Sequence, residues 1–106
     1  MLHATVRFND NNGLVSFNGK AAALLNLWEN KEVMIAEENN GLYFKPGIED
    51  GSWHLRVNNR SIFIIQREFV VHWLDKMKVE GPTTFKISET PTDDGWYFVI
   101  PKTLKR

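Results

Sequence analysis

No cysteine occurs among the 106 residues, which excludes disulfide frameworks, thiolate metal sites and cysteine nucleophiles. Net charge is missing too: thirteen Lys and Arg meet thirteen Asp and Glu, for a formal net charge of zero. The surface as a whole is therefore no polycation for nucleic acid or anionic lipid, although a local basic patch stays open. No run approaches the ~18 apolar residues that cross a bilayer, so no membrane partner is expected. The opening Met1-Leu2-His3-Ala4-Thr5 has neither a basic nor a long apolar segment. No signal peptide is expected there, and a cytoplasmic location is the default. What is present is a 42 % hydrophobic, 25 % charged chain of one domain's length, residues 1–106, the composition of a globular protein.

The charge is unevenly spread. Residues 1–51 hold four basic and seven acidic groups, whereas residues 52–106 hold nine and six. A polyanion would meet the second half first.

Along the chain, Thr5-Val6-Arg7-Phe8 alternates, Asp10-Asn11-Asn12-Gly13 turns, and Leu14-Val15-Ser16-Phe17 resumes the alternation, the pattern of a β-hairpin. Gly19-Lys20-Ala21-Ala22-Ala23-Leu24-Leu25 favours a short helix, with Asn18 as its N-cap. A second strand pair follows over Glu32-Val33-Met34-Ile35-Ala36 and Leu42-Tyr43-Phe44. After a linker at residues 46–51 the order returns: strand over 53–57, an Asn58-Asn59-Arg60 turn, strand over 61–65, and a helix over 66–77. Phe69, Val70, Trp73, Leu74 and Met77 form one apolar stripe on that helix. Strands over 83–88 and 96–100 complete the series, with Gly81-Pro82 ending the helix.

The two halves match in register. At an offset of 47, Val6 falls on Trp53, Phe8 on Leu55, Asn11-Asn12 on Asn58-Asn59, Phe17 on Ile64 and Lys20 on Arg67. At an offset of 52, Val33 falls on Phe85 and Ile35 on Ile87. A unit of this size buries too little by itself, so two ββαββ repeats, residues 4–45 and 52–101, are expected to pack about a pseudo-two-fold axis. The expected fold is mainly β with two short helices: one barrel of about eight strands, closed so that few edges stay free. Its core is expected to hold Phe17, Leu24, Leu27, Val33, Ile35, Ile64, Val70, Trp73, Phe85, Ile87 and Phe98.

The first unit resembles the swapped-hairpin domain of the AbrB superfamily, through Gly13-Leu14-Val15-Ser16-Phe17, then Ala22, Leu24, Leu27, Val33, Ile35 and Leu42-Tyr43-Phe44. The tandem arrangement is similar to the MraZ branch, where both interlacing copies lie in one chain. The resemblance implies a swapped-hairpin barrel and an AbrB-like transcription regulator that meets DNA with arginines of the hairpin region. The motifs depart from the family at Gly13-Leu14, where an arginine is missing, at Asn18 and Ile65, where the family has proline, at Asn30-Lys31, where it has Gly-Asp, and at Arg60, where it has the turn glycine.

Chemistry is sparse. His3, His54 and His72 are the only histidines; His54 reads as an outward strand residue and His72 as a partly exposed structural one. No serine sits on a nucleophile elbow and no glycine-rich loop precedes a helix. Glu37-Glu38 and Asp93-Asp94 read as solvated loop pairs. No enzyme, catalytic residue, metal or cofactor is expected. Trp28, Trp53, Trp73 and Trp96 read mainly as packing residues, the sharper alternative being exposed platforms for bases or a protein partner. Arg7, Lys20, Arg56, Arg60 and Arg67 lie on first strands, a turn and helix starts, and form the candidate duplex-DNA interface. The competing expectation is a protein-interaction module, antitoxin-like or an assembly subunit, with an exposed aromatic face. Either would act as a monomer or a homodimer.

Overall fold

Asparagine and glycine set the turns. The computed structural model describes residues 3–49, 51–58 and 61–100. Strands β1 (Thr5–Asn9) and β2 (Leu14–Phe17) pair antiparallel, with Val6 opposite Phe17 and Asn9 opposite Leu14. Gly13 closes their turn at φ 76°. A Cβ there would lie 2.8 Å from the Arg67 Cα, so glycine is required twice over, for conformation and for space. Strands β3 (Glu32–Glu38) and β4 (Gly41–Pro46) are joined through Asn39 and Asn40, whose φ values of 48° and 66° match the tight hairpin turn that agrees with strand twist.

In the second half, β5 (Trp53–His54) and β6 (Arg56–Asn58) are separated by Leu55, and β7 (Ser61–Ile65) follows. Asn58 is paired opposite Ser61. It ends a strand instead of lying in a turn equivalent to Asn11-Asn12, so the two hairpin connections differ by two residues. The last strands are β8 (Thr83–Ile87) and β9 (Tyr97–Ile100).

Among the described residues three helices form where two were expected. α1 (Gly19–Leu24) and α2 (Leu27–Asn30) are divided by Asn26, which takes a left-handed φ of 57°. The reason is the buried stripe. Ala21, Ala22 and Leu25 face inward, and an unbroken helix would next turn residues 28 and 29 to the core. The break turns Leu27 inward instead and leaves Trp28 42 % exposed. Asn18 does cap α1: its Oδ1 accepts from the Ala21 amide at 2.9 Å and from the Thr5 amide at 3.1 Å, tying the helix start to β1. α3 (Arg67–Met77) buries Val70, Trp73 and Leu74 along the expected stripe.

The nine strands of the described residues form one antiparallel sheet in the order β5-β3-β4-β9-β8-β1-β2-β7-β6. Its two end strands, β5 and β6, are joined by Leu55 alone, whose amide donates to the Lys31 carbonyl at 2.7 Å. The sheet is thus a nearly closed barrel. Every strand of the first half has one neighbour from the second: β1 with β8, β2 with β7, β3 with β5 and β4 with β9.

Alternate residues fill the inside, with Val6, Phe8, Val15, Phe44, Ile62, Phe85 and Ile87 all buried. α3 lays Trp73 against Phe8 and Phe85, ring centroids 6.5 and 6.3 Å apart. Of the expected core, Leu24, Ile35 and Ile64 are partly buried and pack on its margin. Phe98 is a correction. It is 39 % exposed because Val99 takes the inward position of β9, with Tyr97 packed against the core. Among the described residues no helix is long and apolar enough to cross a membrane.

Candidate nucleic-acid interface

Strand alternation decides which polar groups face out. On β1 the inward Val6 and Phe8 leave Arg7 exposed between them; on β2, Val15 and Phe17 leave Ser16 outward. Thr84 and Lys86 alternate with the buried Phe85 and Ile87 on β8. Cross-strand register then joins these residues into a row. Thr84 is opposite Arg7, Arg7 opposite Ser16, Ser16 opposite Phe63 and Phe63 opposite Arg56. Arg7 and Arg56 are three strand spacings apart on this row, about 14 Å. Lys86 lies opposite Thr5, beside it.

The electrostatic content of the face is one-sided. β8, β1, β2, β7 and β6 are consecutive neighbours, and none of them contains an Asp or Glu. Their outward residues instead include two arginines, a lysine and the hydroxyls of Thr5, Ser16, Ser61 and Thr84. β3, on the other side of the barrel, carries Glu32, Glu37 and Glu38. Strand carboxylates are thus confined to β3, where Glu37 is turned to Lys76 and His72 of α3, and strand cations lie mainly on the other side.

The five expected basic residues are not all gathered at one end. β2 and β7 are antiparallel, so the helix starts that follow them leave from opposite ends of the pair. Lys20, in the first turn of α1, and Arg67, at the start of α3, bound the face at its two ends. Lys20 Nζ lies 3.5 Å from Glu89 Oε1. Arg67 sits beside the first hairpin turn, where the Gln66 amide donates to the Gly13 carbonyl at 2.8 Å. That turn therefore shares an end with α3, not with α1. Arg60 lies outside the described residues. Lys86 and Thr84 were missed because their membership depends on β1 pairing with β8, far away in sequence; Ser16 was missed although the expected first hairpin already sets it opposite Arg7. Absence of acidic residues gave no signal for this face, because among the expected strands only the one over 32–36 carries any.

The acidic side is braced by its own contacts. Glu32 Oε2 is 2.6 Å from His54 Nδ1, and its Oε1 accepts from Ser52 Oγ at 2.7 Å. These hydrogen bonds, His54 foremost, hold its carboxyl below the usual range. Glu37 is no solvated loop residue. It lies in β3 and receives Lys76 Nζ at 2.6 Å and His72 Nε2 at 2.9 Å, both from α3. Burial pushes its carboxyl up, but these two partners outweigh burial and leave it lowered. Among the described residues, no three His, Asp or Glu side chains are grouped so as to hold a metal ion.

No protein-family model matches this chain, and neither a curated protein nor a solved structure is significantly similar to it.

Proposed function

We propose that this chain is a duplex-DNA-binding protein, an AbrB-like transcription regulator, which meets DNA with the face built on β8, β1, β2, β7 and β6. The observation that carries the reading is a face of five strands that contain no carboxylate, with Arg7, Arg56 and Lys86 on it, Arg67 at one end and Lys20, paired with Glu89, at the other. Phosphate oxygens take Arg and Lys as charge-assisted donors and hydroxyls as neutral ones, and these contacts position a protein on the duplex. A two-stranded ribbon also has the width to enter the major groove, where arginine forks read guanine.

The fold reading behind it is a swapped-hairpin barrel of two tandem repeats. It is supported by the alternation of first-half and second-half hairpins around the sheet. Register supports it as well: Val6 is opposite Phe85 and Trp53 opposite Val33, reciprocal pairs under the offsets of 47 and 52. The protein-partner alternative draws on a different feature, Phe98 and Ile100, both 39 % exposed on β9.

Fluorescence anisotropy with a mixed-sequence duplex, titrated across salt concentrations, tests the DNA reading. Wild-type binding should weaken steeply with salt. Replacing Arg7 and Arg56 together by Ala should lower the slope of log affinity on log salt by about two, one per lost phosphate contact. Lys45→Ala, on the opposite side, should leave the slope unchanged. No binding at low salt, or an unchanged slope in the double variant, overturns the proposal in favour of the protein-partner reading.

A further inference from the structure

On the side of the barrel away from the basic face, β3, β4 and the loop before β9 enclose an open cleft of about 310 Å³. Its lining is Ala36, Glu38, Tyr43, Thr92, Asp94 and Trp96. Two aromatic rings and two carboxylates converge there; no basic side chain belongs to the lining, and Lys45 stands over one of its rings, Trp96. An aromatic face carries negative potential and attracts a cation, the more so when the cation also has apolar surface to bury. The Trp96 ring already takes such a group: the Lys45 ammonium, at the end of its own alkyl chain, stands 5.6 Å from the ring centroid.

The cleft is also held in shape. The loop that carries Thr92, Asp94 and Trp96 is closed by three hydrogen bonds. The Thr92 amide donates to the Trp96 carbonyl at 2.8 Å, the Gly95 amide to the Thr92 carbonyl at 2.9 Å, and the Trp96 amide to Thr92 Oγ1 at 3.1 Å. Tyr43 is opposite Phe98 in the sheet, with ring centroids 6.4 Å apart. Rigid rings lose little freedom when a ligand arrives.

We propose that this cleft binds an alkylammonium group, borne by a free amine or by a lysine side chain. Its size suits that choice, at the lower end of ligand cavities. An anion would meet Glu38 and Asp94, and a neutral apolar ligand would leave both carboxylates without a partner. A metal ion would find only two carboxylates beside two rings. The inference is independent of the DNA reading, since it uses none of the residues on the basic face.

The test follows the indole N–H resonance of Trp96 in the full chain, assigned with Trp96→Phe. Tetramethylammonium should move it saturably, while tert-butanol, a neutral molecule of similar shape, should not. Glu38→Gln with Asp94→Asn should raise the half-saturation concentration at least tenfold and leave the spectrum otherwise folded. Choline and N-acetyl-trimethyllysine methylamide, titrated in parallel, separate the two sources by which saturates lower. A Trp96 resonance that does not saturate, an equal response to tert-butanol, or full binding by the charge-neutral double variant overturns the proposal.

Discussion

Trp73 joins α3 to the barrel, fully buried against Phe8 and Phe85. Its indole N–H is also buried and has no hydrogen-bond partner among the described residues. These two facts act in opposite directions on substitution. Trp73→Ala removes a large buried side chain and should destabilise by roughly 3–5 kcal/mol, much of a small domain's stability. Trp73→Phe keeps most of the ring contact and also removes the unsatisfied donor, a group whose burial costs about 1–3 kcal/mol. It should therefore destabilise far less than the alanine variant. Urea unfolding of both variants checks this, and equal losses would overturn it. The burial of Trp73 was legible in the sequence, because Val70, Trp73, Leu74 and Met77 repeat at helical spacing. Phe98 was not. It sits in Trp96-Tyr97-Phe98-Val99-Ile100, where every residue is apolar or aromatic, so alternation assigns no face.

Elements defined by local chemistry were readable, and those defined by distant neighbours were not. The first hairpin, the Asn18 cap and the extent of α3 follow from turn residues, a capping side chain and a period. The break between α1 and α2 follows instead from the need to bury Leu27, which no local rule states. Glu37 was misread for the same reason: its partners His72 and Lys76 lie 35 and 39 residues away, on α3. Those contacts tie α3 to β3 and make the tie pH-dependent. A carboxyl lowered in the folded protein contributes stability above its unfolded value, near pH 4, and that contribution disappears as pH falls through the folded value. Glu37→Gln should therefore destabilise by about 0.5–1 kcal/mol at pH 7, the range for a partly exposed pair. The difference from wild type should shrink toward zero near pH 2. A difference that is constant from pH 7 to pH 2 would assign the loss to packing and not to charge.

At the scale of the molecule, the decisive property is that neither half closes on itself. Each of β1, β2, β3 and β4 has one neighbour within residues 3–49 and one from beyond the connection at residues 47–52. A half deprived of its partner would expose strand edges on both of its hairpins and the inner faces of Val6, Val15, Val33 and Phe44. The same interlacing produces the separation of strand charges, since β1 and β2 of the first half stand between β8 and β7 of the second. Neither the charge count nor the alternation of any one strand contains that information. It arises only from which strands meet. A protein cleaved within residues 47–52 should therefore remain associated and folded, because the strand ladders, not the connection, hold the halves together. Separated in denaturant and diluted singly, the halves should show the circular dichroism of unfolded chains. Mixed in equal amounts, they should regain the β-sheet signal in a concentration-dependent step. Halves that fold cooperatively as monomers, or that gain no structure on mixing, would contradict the interlaced pairing and the origin of the basic face with it.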